Sequence, residues 1–383
     1  MKNKTVNFIR GIATLLIVYY HIYAVTNVSF KYEIINCISG MLGEIGVSIF
    51  FLISGYGIYT SLKRKGDKFS YKEYIKSRFK RIAPQYYLCF FVCLLFTSGS
   101  AYISKVGYPS IFTHLIFIHN LFLNHHGAIN GSLWTMGTIF QFYLFAPLLF
   151  KLIEKKPKTV TILSIVVTIM LKYLVLGVLI PIYAPADRID SYFFVYSRQI
   201  LWTLDNFIIG MFIAKILYNY DFETKTKFHN IILTIISFVG VMFVVLIGSN
   251  FLNVPYFFGP LYTASIKAYT WHSILSVALG IFIFLASKIK IKEIIYKPID
   301  FIAKHEYGIY LWHLPIMYNL IANSNIVQTL ILNNNLFIYV FLFVITVIFG
   351  IFMSKLFEKE KIREKTKEEI KFKNREKILT IKD

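Results

Sequence analysis

Long stretches of this chain run without polar interruption, and their lengths gather near twenty residues. A helix rises about 1.5 Å per residue, so about 20 apolar residues cross the ~30 Å hydrocarbon core of a bilayer. Ten such runs occur, near 8–26, 44–62, 82–98, 132–150, 159–181, 199–218, 230–249, 271–287, 305–322 and 336–354. The pattern predicts an all-α fold: a polytopic membrane helix bundle of about ten transmembrane helices. Connections are short except for 99–131, where the stretch from Ile111 to Leu123 is expected to lie at the interface or to re-enter. The chain divides into an integral-membrane domain, 1–354, and a charged tail, 355–383, whose Lys/Glu-rich pattern suits a solvated or lipid-surface helix.

Composition supports this division. Of 383 residues, 56% are hydrophobic and 16% charged, against about 25% charged in soluble domains. The 37 Phe and 27 Tyr supply more apolar area than one globular core hides, which excludes a soluble enzyme. The net charge of +21 would suggest nucleic acid only if a water-exposed domain carried it, and too little sequence lies outside the spans for one. With both termini cytoplasmic, 34 Lys/Arg fall on the cytoplasmic side and five on the outer side, which is the asymmetry that orients membrane proteins. The charge therefore reports topology and contact with anionic lipid. Cys89 and Cys93 form an i, i+4 pair within the third span, read as packing, and Cys37 stands alone.

An ionisable group within hydrocarbon is costly and marks a functional candidate. Arg10 and His21 lie eleven residues apart in the first run. At 100° per residue they fall within about 20° of one stripe and about 16 Å apart along the axis. A guanidinium at the cytoplasmic mouth suits phosphate, and a buried neutral imidazole suits a general base. The spacing also admits a plainer account, with Arg10 reaching to headgroups and His21 joining Tyr19, Tyr20 and Tyr23 in an aromatic belt. Arg78 and Arg81, at i, i+3 where the loop enters the third run, face the same compartment as Arg10. They serve either as positive flanking residues or as further phosphate ligands.

The ninth run contains Tyr307-Gly308-Ile309-Tyr310-Leu311-Trp312-His313-Leu314-Pro315. Pro315 kinks this helix and frees a carbonyl near His313, which is either a satisfied core histidine or a partner for His21. Ser54-Gly55-Tyr56-Gly57 puts small residues in the second run, where helices approach closely. Gln141 in the fourth run can bond a substrate hydroxyl or a neighbouring helix. His125-His126 lack the carboxylates or thiolates of a metal site, so no metal is expected. No phosphate-binding loop, dinucleotide fingerprint or Gly-x-Ser-x-Gly elbow occurs.

Taken in order, these segments resemble the acyltransferase-3 family of integral-membrane acyltransferases, which modify bacterial surface glycans. Arg10 and His21 resemble its Arg-x10-His pattern, and Arg78/Arg81 its Arg-x-x-Arg pattern. Phe50-Phe51-Leu52-Ile53-Ser54-Gly55-Tyr56 and Tyr307 to His313 are similar to two further signatures. The fourth-run segment departs: Ile139 and Phe140 stand where the family often has two glutamates.

The resemblance implies an acyl-CoA donor, usually acetyl-CoA, held by its phosphates at Arg10, Arg78 and Arg81. It implies transfer to a hydroxyl of a cell-surface or lipid-linked glycan at a bacterial cytoplasmic membrane, with no nucleic acid involved. His21 is then the general base, His313 its orienting or acceptor-binding partner, and Gln141, Ser54 and Tyr310 the substrate contacts. The acceptor, or a separate extracytoplasmic partner protein, meets the bundle directly. A glycan or lipid-linked-sugar exporter without acyl transfer is the rival class, and transfer to an amine or of a longer acyl chain such as succinyl is the variant within the enzyme class.

Overall fold

A computed structural model describes residues 3–97, 99–219, 227–252, 266–333 and 336–379. Residue 98 of the expected third span and residues 380–383 of the expected tail lie outside the described residues. Among these, the chain forms fourteen α-helices and no β-strand. The first three are α1 (Lys4–Thr26), α2 (Glu33–Lys65) and α3 (Tyr71–Val92), the last continuing through a π turn at Cys93–Thr97. α4 (Gly99–Leu115) leads through irregular chain to α5 (Trp134–Lys155) and α6 (Pro157–Lys172). A second π segment joins α6 to α7 (Ile180–Tyr183), followed by α8 (Ile189–Tyr196) and α9 (Leu204–Asn219). The remainder are α10 (Lys227–Leu252), α11 (Ile266–Ala286), α12 (Glu293–Asn323), α13 (Asn325–Leu332) and α14 (Leu336–Leu379).

Seven helices among the described residues are long and apolar enough to cross a membrane. The other three expected spans coincide with α9, α11 and α12, each with a local reason for falling short. α9 has only 16 residues, because the chain before it turns at Ile200–Trp202. In α11 the apolar stretch is Thr270–Ala286. α12 spends its first turns on Glu293, Lys297 and Asp300 before becoming apolar.

Helix starts follow from local chemistry. The Asn3 side chain accepts from the Thr5 and Val6 amides, and Ser70 caps α3 by accepting from Glu73, in each case satisfying amides that a helix N-terminus leaves open. Lys4 pairs with Glu293 at 2.5 Å, so α1 and α12 begin at the same end. The C-terminal ends of α2, α5 and α9 meet at Glu154, which pairs with Lys63, while Lys215 Nζ donates to the Glu154 carbonyl at 2.6 Å. We call this the basic end.

Glycine sets the closest crossings. A Cβ on Gly55 of α2 would collide with the Phe207 carbonyl of α9, and one on Gly210 of α9 with the Leu52 carbonyl of α2. Gly308 and Gly350 play the same reciprocal part between α12 and α14.

The long connection 99–133 folds back into the protein. His119, Asn120, His126, Asn130 and Ser132 are all buried, as irregular backbone at membrane depth must be. Pro315 cannot donate to the Leu311 carbonyl four residues earlier. That carbonyl instead accepts from Asn130 Nδ2 at 3.0 Å and Cys89 Sγ at 3.3 Å, so the turn of α12 before Pro315 is where this segment docks.

Candidate active site

A cavity of about 300 Å³ opens among α1, α2, α3, α5 and α12, with Arg10, Ser54, Arg78, Arg81, Glu306 and Tyr310 in its wall. Arg10 Nη2 donates to the Ala303 carbonyl at 3.0 Å, and its Nε lies 2.8 Å from Glu306 Oε2. That pair is close in space but outside hydrogen-bond alignment, so both groups keep bonding capacity for a third partner in the cavity. Arg78 Nη2 donates to Ser61 Oγ at 2.9 Å, and its guanidinium lies over the rings of Tyr74 and Tyr143, 5.1 and 5.4 Å from their centres. Arg78 Nε and Gln85 Oε1 are buried without a hydrogen-bond partner. The wall thus presents fixed cations with unspent N–H groups, which is what a phosphate-bearing ligand requires.

At the deep end Tyr310 accepts from Thr135 Oγ1 at 2.7 Å and donates to the Ser132 carbonyl at 3.0 Å. One helical turn beyond it stand His21 and His313, their ring centres 4.6 Å apart. His21 Nδ1 is 2.8 Å from the Ile17 carbonyl, and His313 Nδ1 is 2.5 Å from the Tyr310 carbonyl. A carbonyl only accepts, so each Nδ1 carries the proton. His313 Nε2, left with its lone pair, lies 3.3 Å from His21 Nδ1. His21 Nε2 is therefore the basic atom, and its proton-bearing Nδ1 is flanked by two acceptors that would steady a positive imidazole ring.

Further from the basic end, Glu44 Oε1 lies 2.9 Å from His272 Nδ1. Together with Lys172, Arg198 and Asn206 they line a smaller pocket of about 30 Å³. Val47 and Phe51 belong to the walls of both spaces.

Of the residues singled out in the sequence, Arg10, Ser54, Arg78, Arg81 and Tyr310 come together in the cavity wall. His21 and His313 meet each other just beyond it. Gln141 lies outside this cavity: its Nε2 donates to Asn120 Oδ1 at 2.9 Å. Positions 139 and 143 of α5 line the cavity, and position 141 is about 200° round the helix from either. Glu306 escaped notice although it falls on the stripe of Tyr310 and His313, at i+4 and i+7. It puts a carboxylate beside Arg10 in a cavity where Ile139 of α5 supplies none. Glu44, Arg198 and His272 carry no local motif and are assembled only by the fold.

Comparison with known proteins bears on this geometry. The O-acetyltransferase OatA of Staphylococcus aureus is 26% identical over 341 residues, covering 84% of this chain and 51% of that protein. The Regulator of hypoxia-inducible factor 1 of Caenorhabditis elegans is 28% identical over 141 residues, 33% of this chain and 28% of that protein. The chain thus spans about half or less of the length of these relatives. No solved structure matches. Residues 3–355 match the family model described as an acyltransferase domain, and on that near-complete match this multi-pass helical membrane protein belongs to the acyltransferase-3 family.

Proposed function

We propose that this protein transfers an acyl group, acetyl foremost, from acyl-CoA to a hydroxyl of a cell-surface or lipid-linked glycan. The observation that carries the reading is the His21–His313 pair, with both protonated Nδ1 atoms fixed on main-chain carbonyls. It stands one turn beyond a cavity whose wall holds Arg10, Arg78 and Arg81. The basic end faces the cytoplasm of a bacterial cell by the charge asymmetry. The donor's phosphates and nucleotide stay at the arginines, and the thin pantetheine arm extends about 16 Å up α1 to the histidines.

In this mechanism the acceptor oxygen attacks the thioester carbon while His21 Nε2 takes the hydroxyl proton. The imidazolium is held by the Ile17 carbonyl and His313 Nε2. The resulting oxyanion collapses, the carbon–sulfur bond breaks, and His21 returns the proton to the departing thiolate, leaving the acyl ester and free CoA.

The test is the acyl content of surface glycans, by mass spectrometry, in cells with and without the protein, alongside turnover of labelled acetyl-CoA by the purified protein. His21→Ala should lower transfer by about 10²–10⁴-fold with donor binding retained. Near-normal acylation by that variant removes His21 from the chemistry, and absence of any thioester cleavage by the intact protein favours an exporter.

A further inference from the structure

Ahead of α5, Ile129 adopts a backbone conformation that its side chain disfavours. The Asn130 amide donates to the Ala128 carbonyl at 2.6 Å, and Ile129 between them has φ 64°. A three-residue turn closed over a positive central φ is the rare and strained form, and a β-branched residue is an outlier there. Such strain persists only where the surroundings hold it in place. The residue that follows is held on every side: Asn130 is buried, and its side-chain amide has its whole bonding capacity taken up. Oδ1 accepts from the Ser132 amide at 3.1 Å and from Ser132 Oγ at 2.9 Å. Nδ2 donates to the Leu311 carbonyl at 3.0 Å and to Cys89 Sγ at 3.5 Å.

The far side of this clamp is the turn of α12 that carries His313. Pro315 deprives the Leu311 carbonyl of its in-helix donor, and Asn130 with Cys89 supplies from outside the bonds that the helix lacks. The preceding residue is fixed by the same segment. Tyr310 donates its hydroxyl to the Ser132 carbonyl at 3.0 Å, and the Tyr310 carbonyl in turn accepts from His313 Nδ1. The peptide group that Asn130 grips is thus next along the chain from the one on which the His313 ring hangs. We propose that Asn130, backed by Cys89, is a positioning residue that holds the Tyr310–His313 turn of α12 so that the His313 ring meets His21. It acts through His313 and touches no reacting atom, and its role rests on the transferase reading above.

Asn130→Ala removes both Nδ2 donors. Cys89→Ala removes the second bond to the Leu311 carbonyl, whereas Cys89→Ser keeps a hydroxyl able to make it. In the purified full chain, kcat for acyl transfer from acetyl-CoA should fall by about 10–100-fold in Asn130→Ala, because misplacement by about 1 Å at a reacting centre costs that much. Cys89→Ala should show a smaller loss in the same direction and Cys89→Ser should recover it, with the acetyl-CoA dissociation constant within twofold of the parent in all three. A second measurement is independent of turnover. The ring-nitrogen signals of His313, assigned in protein labelled with nitrogen-15 histidine by their absence from His313→Phe, should shift in both alanine variants. Parental kcat or unmoved His313 signals in Asn130→Ala overturns the inference, and so does a matching loss of donor affinity, the mark of general loosening. Should Asn130→Ala fail to fold, the same criteria apply to Cys89→Ala set against Cys89→Ser. The two readings fail differently: His21-dependent transfer that ignores these variants sinks only the role of Asn130, whereas a parent protein that adds no His21-dependent acyl group sinks the transferase reading and this inference with it.

Discussion

At the scale of single residues, the arrangement rests on which ring nitrogen of each histidine carries its proton. The Ile17 and Tyr310 carbonyls, at 2.8 and 2.5 Å, decide it. A histidine whose Nδ1–H is already engaged presents Nε2 in one direction only, so the proposed base is aimed before any substrate arrives. His313 acts through His21: it supplies a lone pair 3.3 Å from His21 Nδ1 and touches no reacting atom in the proposed mechanism. His313→Phe keeps a ring of similar size and removes that lone pair. It should lower kcat by on the order of 10² while leaving the donor KM near the parent value, with partial recovery in His313→Gln, whose amide oxygen can accept. A loss confined to KM would show instead that His313 contacts substrate.

At the scale of helices, close packing depends on which glycine meets a neighbouring backbone. Gly55 and Gly57 belong to one Ser-Gly-Tyr-Gly motif and are indistinguishable as sequence. Gly55 presses on the Phe207 carbonyl, whereas a Cβ on Gly57 would meet nothing within 4 Å. Gly55→Ala should therefore destabilise the protein by about 1–3 kcal/mol through forced separation of α2 and α9, and Gly57→Ala should leave the thermal midpoint in detergent unchanged. Similar losses in both would mean that the motif acts by backbone flexibility. The same contrast marks what the sequence could reveal. Apolar runs and their caps are local, so the positions of the helices were legible. Pro315 announced a freed carbonyl, but its partner Asn130 lies 181 residues away in sequence and no local pattern could name it. Likewise the helical period placed Arg10 and His21 on one stripe, while Gln141 looked suitable by type and was turned from the cavity by its register on α5. Glu306 was within reach of the same period argument, on the stripe of Tyr310 and His313.

At the scale of the whole molecule, two polar spaces lie back to back across Val47 and Phe51, and they differ in what they present. The larger has arginines and is lined by the middle of α12, from Ala303 to Tyr310. The smaller, around Glu44, lies 19 residues before Lys63 on α2, a distance of about 28 Å along the helix. Under the proposed function the donor enters on the arginine side and meets the acceptor at the histidine pair. Charge asymmetry fixes which side is which, because 34 of the 41 Lys/Arg fall on one face of the predicted topology. The proposed function therefore gives the donor only one productive face. In membrane vesicles carrying the protein and its acceptor glycan, labelled acetyl-CoA added outside should label the glycan when the vesicles are inverted, so that the cytoplasmic face is outermost. Right-side-out vesicles should stay unlabelled until they are permeabilised, since acetyl-CoA does not cross the bilayer unaided. Equal labelling of both preparations would place the arginine cavity within reach of either side and overturn the assignment of the basic end as the donor's entrance.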